Sequence, residues 1–499
     1  MRFWFYSFGN SILSRLQIRC LYAKIFGAIP LALQAINSNT LSMKSFYLFG
    51  LCMFCLISFN CKEGNESNVM VNTFDETVAV DSVNPSISSS TFLALSDVHL
   101  ESGVGNVTFG RHNDTGDSLW ARTKRKLEAV IKAEQPKFMV YLGDLPHHED
   151  ASRVKNVTLM LEHLRALNIN IPLLYLPGNN DSLAGDYYSF QDSEGKTPFS
   201  VDDSAADPWP ILHDKSGVAK ISNTDFQKQF GYYATDISVG TDTLKIIALN
   251  SVIMTRSYYF DKDDVSQQAA AQKQFIWLEK TLDSIKTNKP ILIMMHIPPG
   301  IDNYANFDST LPNNCDNVPG PMWNSSYRIT NLKGDVLSFQ NAFLNLVAGK
   351  KDQIKGILTS HTHFDGIRRL YSSKKVDSDS LIGISMSTPG ITIGHGNNPG
   401  FKLYEYNDKT FDILDFKTHY AIPTAHNYGT FKFIGDSSYT FKETYKISDS
   451  NLSILESIAK MNDTDLKHYM SEILAVKSHK TSGIIKCYEF DDVMNVLKD

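Results

Sequence analysis

Residues 138–148 read FMVYLGDLPHH. Phe138 to Leu142 form an apolar run without a polar break, which predicts a short strand buried on both faces. Gly143 ends the run, and Asp144, His147 and His148 follow at once. The same arrangement recurs. TFLALSDVHL (91–100) sets Asp97 and His99 behind an apolar run, and IPLLYLPGNND (171–181) sets Asn179, Asn180 and Asp181. PILIMMHIPPG (290–300) sets His296, and IKGILTSHTHFD (354–365) sets His361, His363 and Asp365. Each polar cluster follows a predicted strand, and the carboxyl ends of the strands of an α/β sheet share one crevice.

Between these runs lie stretches with helical apolar spacing at 118–135, stopped by Pro136, and at 157–168, 267–285 and 335–349. LKIIALNS (244–251) and SLIGISMST (380–388) supply further strands. The alternation predicts an α/β core. Residues 183–230 break the rhythm with an aromatic, acidic, turn-rich stretch, expected to be a functional insertion such as a lid or binding loop. Beyond residue 400, FKLYEYNDKTFDILDFKTHY predicts a hairpin, and residues 450–478 look helical.

The chain has 499 residues, 48 Lys plus Arg against 54 Asp plus Glu, a net charge of −6 and 42% hydrophobic residues. This is a globular composition, long enough for two or three domains or for one large domain with extensions. The first acidic residue is Glu63, and residues 1–60 hold five basic residues, so the body after residue 60 carries −11. It has no long basic run, the densest stretch being RTKRK (122–126), which argues against a nucleic-acid duplex as partner.

Met43, Lys44 and the apolar run from Phe46 to Phe59 predict a signal peptide, too short for a membrane span. Residues 1–42 are then an over-extended start or, on the other reading, an acid-free presequence. Cys61 stands where a lipoprotein carries its acylated cysteine; simple cleavage nearby is the other exported reading. The expected organisation is a leader (1–61), a flexible tether (62–90), a catalytic domain (91–420) and a mostly helical C-terminal extension (421–499). Cys315 and Cys487 would be left as one disulfide or two free thiols. The location expected is periplasmic, cell-surface or secreted, with membrane contact only through a lipid anchor.

The clustered residue types suit two divalent ions. Asp97 and His99 can wrap one metal, Asp144 can bridge two, and Asn179 offers a neutral oxygen. His296 and His361 complete the second ion and His363 the first. Such a pair clamps a phosphoryl group and activates a hydroxide for in-line attack. Mixed imidazole and oxygen ligation favours zinc, manganese or iron over calcium and magnesium, with zinc the first choice for an exported protein.

SDVH, GD, GNN, HIPPG and SHTH, in that order, resemble the motifs of calcineurin-like metallophosphoesterases. The spacing of Asp144 to His148, Trp277–Glu279, HIPPG (296–300) and NNPGFKLYEY (397–406) narrow the resemblance to acid sphingomyelinase-like phosphodiesterases, over about residues 90–420. The resemblance implies a four-layer α/β/β/α sandwich. It implies one metal on Asp97, His99, Asp144 and His363, and the other on Asp144, Asn179, His296 and His361. His148 would protonate the leaving oxygen, with His147 its neighbouring competitor. Where the family usually has a histidine facing the phosphate, this chain has Asn180, which can donate a hydrogen bond but carries no proton.

A soluble phosphodiester is the expected substrate, of nucleotide or choline-phosphate type. Tyr187, Tyr188, Phe190 and Trp209 would either stack a base or headgroup or pack the insertion onto the core. The acidic body disfavours a long polyanion such as polyphosphate. An endopolyphosphatase or a phosphomonoesterase is the enzymatic alternative, and a phosphate-binding surface protein the non-enzymatic one.

Overall fold

The computed structural model describes residues 88–498, apart from 202–209, 215–216, 218, 224–226, 241, 260–265, 303–319, 427 and 478–489. The leader with Cys61, nearly all of the tether, Trp209, Cys315 and Cys487 lie outside the described residues.

Two sheets carry the architecture. The seven-stranded sheet is built from β1 (Ser89–Leu95), β2 (Met139–Tyr141), β3 (Leu173–Tyr175) and β4 (Ile211–His213). Its eight-stranded neighbour takes β5 (Ala219–Asn223), β6 (Tyr233–Val239), β7 (Asp242–Leu249), β8 (Ile291–Met295), β9 (Ile354–Thr359), β10 (Ile367–Tyr371) and β11 (Leu381–Ser387). The chain then returns to the first sheet with β12 (Gly400–Asn407), β13 (Ile413–Pro423) and β14 (Phe433–Thr440), and ends in the second with β15 (Asn495–Val496). The strand orders are β14-β13-β12-β1-β2-β3-β4 and β15-β10-β11-β9-β8-β7-β6-β5. The runs β1-β2-β3 and β7-β8-β9-β11 are parallel. Apolar residues dominate these runs, and β2 and β8 are buried at every residue, as parallel strands covered on both faces must be.

Side-chain alternation sorts the core into three apolar clusters. Phe92, Val140 and Tyr404 of the first sheet meet Ile246, Met294 and Leu358 of the second in one cluster between the sheets. The opposite face of the first sheet (Leu93, Met139, Leu403) packs against α1 (Asp117–Glu134) and α2 (Arg153–Arg165) through Trp120, Leu127, Met160 and Leu161. That of the second sheet (Ile247, Ile293, Ile357) packs against α3 (Gln267–Ser284) and α4 (Phe339–Gly349) through Phe275, Leu278, Phe343 and Leu344. The fold is α/β, with helices on the outer face of each sheet.

Three boundaries differ from the sequence reading. Strand β1 starts at Ser89, inside the stretch read as tether, because Ser89 pairs with Asn407 and its hydroxyl donates to Glu405. The insertion 183–230 is not a loop throughout. Its second half supplies edge strands to both sheets, β4 and β5, since short runs such as Ile211–His213 can pair at a sheet edge. The stretch 421–499 contributes α5 (Ile454–Lys460) and α6 (Asp463–Ile473), and also the edge strands β14 and β15. Residues 84–499 form one compact unit.

Asp365 of the SHTHFD segment faces away from the crevice. Its carboxylate lies 2.6 Å from the Lys402 ammonium, both fully buried, and accepts from Thr418 (2.7 Å) and Tyr439 (2.8 Å). The ammonium also sits 3.6 Å from the Phe416 ring centroid. Burial draws Lys402 below its ordinary range, against the pull of Asp365. Removing one member of such a pair strands the other charge, so Lys402→Met is expected to cost about 3–5 kcal/mol. A lowered urea midpoint would register it, and a loss below about 1 kcal/mol would contradict the pair's role.

Candidate metal centre

The expected ligands come from both sheets. Asp97, Asp144 and Asn179 follow β1, β2 and β3 of the first sheet, whereas His296, His361 and His363 follow β8 and β9 of the second. Their crevice is the seam where the carboxyl ends of both parallel runs meet. Five of these residues hold left-handed backbone: Asp97 (φ 48°), His99 (46°), Asp144 (63°), His361 (70°) and His363 (60°). Each such non-glycine residue costs on the order of 1–3 kcal/mol and persists only where its surroundings force it.

The forcing contacts are visible. The amide of Asp97 donates to the Gly143 carbonyl (3.0 Å) and that of His99 to the Asp144 carbonyl (3.2 Å). The buried Asp181 carboxylate accepts from the amides of Asp144 (3.0 Å), Leu145 (2.6 Å) and Gly178 (2.7 Å) and from the Tyr175 hydroxyl (2.8 Å). The β2 and β3 turns press together at two glycines: a Cβ on Gly143 would lie 2.4 Å from the Gly178 nitrogen, and one on Gly178 would lie 2.2 Å from Asp144 Oδ1.

The potential ligand atoms of Asp97, His99 and His363 lie within 4.8 Å of one another, as do those of Asp144, His296 and His361. Asp144 Oδ2 is 3.3 Å from Nε2 of both His99 and His296, the place of a bridging carboxylate. Asn179 Oδ1 lies 3.0 Å from His296 Nε2, and His363 Nε2 is 3.4 Å from Asp97 Oδ1. Neither carboxylate oxygen of Asp97 nor either ring nitrogen of His99 has a hydrogen-bond partner among the described residues, yet both side chains are buried. Burial lifts the Asp97 carboxyl to about 6, while for Asp144 it is outweighed by His296 and His99, which hold that carboxyl well below its ordinary value. Burial also drives the His361 and His363 imidazoles well down, which keeps them neutral with lone pairs available. A buried carboxylate without donors at Asp97, with neutral imidazoles at His361 and His363, fits divalent cations. This is a dinuclear divalent metal site.

A third group, His99, Asp114 and His148, is also compact. The two imidazole planes are parallel, 8° apart with centroids at 4.5 Å, so their in-plane lone pairs do not converge on one ion. His148 instead directs Nδ1 at the buried Asp114 carboxylate (3.0 and 3.1 Å) and is 38% exposed at the cleft. His147 is turned away: it is buried, with Nε2 2.6 Å from Ser152 Oγ. Asn180 donates through Nδ2 to Asp144 Oδ2 (3.1 Å) and through its amide to Oδ1 (2.8 Å).

The cleft, about 530 Å³ with its open mouth, is lined by five of the expected ligands, not Asp97 or His296, together with His148, Asn180, Asp186, Tyr187, Asp302 and His395. Of the insertion's aromatics Tyr187 reaches it, its hydroxyl 3.4 Å from His361 Nε2. Phe190 is buried in the core and Tyr188 stacks on Tyr259 (5.6 Å). The sequence reading missed Asp114, Asp186, Asp302 and His395, and noted Asp181 without its role. The GNND run already held Asp181; the others carry no local signal.

Asp181→Ala removes the acceptor for four donors. It is expected to weaken metal binding by about 10–100-fold while leaving the protein folded by circular dichroism. Unchanged metal content after desalting would contradict this role.

Residues 90–363, more than half of the chain, match the calcineurin-like phosphoesterase family. The chain is similar to the cyclic GMP-AMP phosphodiesterase SMPDL3A of Homo sapiens, 25% identical over 66% of this chain and 65% of that protein. It is also similar to sphingomyelinase phosphodiesterase C of Dictyostelium discoideum, 24% identical over 60% and 61%. These matches span just under two thirds of the relatives' length. Among solved structures, a dimetal phosphatase from Danio rerio aligns at 12% identity and a TM-score of 0.39, covering 70% of this chain and 99% of that one. Motif order, site geometry and the family match agree, and the chain belongs to the calcineurin-like phosphoesterase family of metal-dependent phosphoric ester hydrolases.

Proposed function

We propose that the protein hydrolyses small phosphodiesters, with His148 as the acid that protonates the leaving oxygen. The observation that carries this reading is the His148–Asp114 pair at the edge of the metal cluster. Asp114 accepts from Nδ1 and fixes the ring, so the proton to be given away sits on Nε2. An alkoxide leaving group benefits from a positioned acid, whereas an activated aryl oxide needs little protonation.

Asp97, His99, Asp144 and His363 would hold one divalent ion, and Asp144, Asn179, His296 and His361 the other; bound there, the pair would supply a clamp for the phosphoryl oxygens and acidify a water. Zinc is the proposed metal, with manganese or iron as alternatives, because the donors mix imidazole and oxygen. Asn180 holds the bridging Asp144 and lines the cleft, where the second hydrogen of its Nδ2 can donate to a phosphoryl oxygen, the part expected of it.

Substrates of nucleotide or choline-phosphate type fit this reading, and the relatives' printed names, cyclic GMP-AMP phosphodiesterase and sphingomyelinase phosphodiesterase, lend it support. No lysine or arginine is among the described residues that line the cleft. That speaks against polyphosphate, whose extra charges would need cations beyond the metals. Export is proposed from Met43, Lys44 and the run 46–59; among the described residues no helix is long and apolar enough to cross a membrane.

The test compares leaving groups. His148→Ala is expected to slow hydrolysis of a dialkyl-type diester such as glycerophosphocholine or a dinucleotide by about 10²–10⁴-fold. Bis-p-nitrophenyl phosphate, whose leaving group needs little protonation, should suffer far less. Equal, slight effects on both would remove His148 from the acid role.

A further inference from the structure

The four imidazoles of the cluster differ in how their rings are held. Nδ1 of His296 donates to the Leu142 carbonyl (2.7 Å), with Ser360 Oγ 2.9 Å away. His361 Nε2 lies 3.4 Å from the Tyr187 hydroxyl. A metal-bound imidazole ordinarily has such a partner, which fixes its tautomer and ring angle. His99 and His363 depart from this: Nδ1 of each finds no hydrogen-bonding group among the described residues, although both side chains are buried.

Each of these two rings lies flat against a further imidazole. His99 stacks on His148 at 4.5 Å and 8°, and His363 stacks on His395 at 3.9 Å and 11°. His395 is anchored by its own Nδ1, which donates to the Thr362 carbonyl (3.1 Å), one residue before the ring it covers. Gly390 packs against the same ring: a Cβ there would lie 3.0 Å from His363 Cγ and 3.1 Å from Asp97 Cβ. An imidazole bound to a metal carries more positive charge, which a neighbouring ring face attracts. Offset stacking also restricts ring tilt.

Resting on the dimetal reading, we infer that His395 is a positioning residue for the metal held by Asp97, His99, Asp144 and His363, its flat ring doing for His363 what a hydrogen bond does for His296. The two metal positions are therefore unequal. One is built on hydrogen bonds and withstands changes at residue 395. The other depends on a flat ring there and loses its ion first.

The experiment titrates zinc into the full chain against a chromogenic chelator and counts metal after desalting, for the wild type, His395→Ala and His395→Phe. The wild type is expected to bind two ions. His395→Ala is expected to bind one as the wild type does and the other about 10–100-fold more weakly, leaving close to one ion after desalting. His395→Phe keeps a flat ring without nitrogens and is expected to retain both ions. Retention of two ions at unchanged affinity by His395→Ala would overturn the inference. So would a loss in His395→Phe as large as in His395→Ala, since the nitrogens and not the ring would then matter, and so would equal weakening of both ions in His395→Ala. A wild-type chain that binds fewer than two ions would overturn the dimetal reading itself, and this inference with it.

Discussion

Two carboxylates, Asp97 and Asp144, are buried at the seam between two sheets, and among the described residues no lysine or arginine forms an ion pair with them. Isolated buried carboxylates are costly, and positive charge must be brought to them. The ordered imidazoles around them supply part of it, and the chemistry of the set asks for metal ions to supply the rest. Much of the surrounding structure follows from this demand. The left-handed backbone at five ligand positions is strain accepted so that side chains from two sheets converge. Asp181, with four donors on one carboxylate, and the paired glycines Gly143 and Gly178 hold two of the turns that make this possible.

The fold's contribution is rigidity. Every ligand-bearing segment leaves a strand buried in at least one of the three apolar clusters, so the ligands are fixed by packed sheets rather than by surface loops. The buried Lys402–Asp365 pair extends this support, because Asp365 is two residues from His363 and ties the SHTH turn to β12. The proposed proton donor is held more loosely: His148 is partly exposed and is directed by a single carboxylate, Asp114.

Much of this was legible in the sequence. Apolar runs ending in Asp, Asn or His were enough to pick out the seven residues that the structure brings together, with His148 beside them, because a buried parallel strand and a cluster of ligand-type side chains each leave a strong local mark. The allotment of strands to the two sheets was not legible, since β3 and β8 look alike as apolar runs and nothing local says which sheet each joins. Nor were the supporting residues. Asp114 stands 34 positions from the His148 it orients, and His395 stands 32 from the His363 it covers. Their roles arise from packing between distant loops, where residue type alone carries no signal. Residues 183–230 misled by composition: turn-rich sequence reads as loop, yet the short runs at β4 and β5 find sheet edges to pair with.

The most direct test of the account is metal content together with hydrolysis of bis-p-nitrophenyl phosphate, for the chain from residue 62 onward and its Asp144→Asn variant. Asp144 is the one residue shared by both metal positions, so the account predicts about two transition-metal ions per wild-type chain with turnover, and loss of both in the variant. Folded wild-type protein that binds no metal, or a variant that keeps both its ions and its activity, would contradict it.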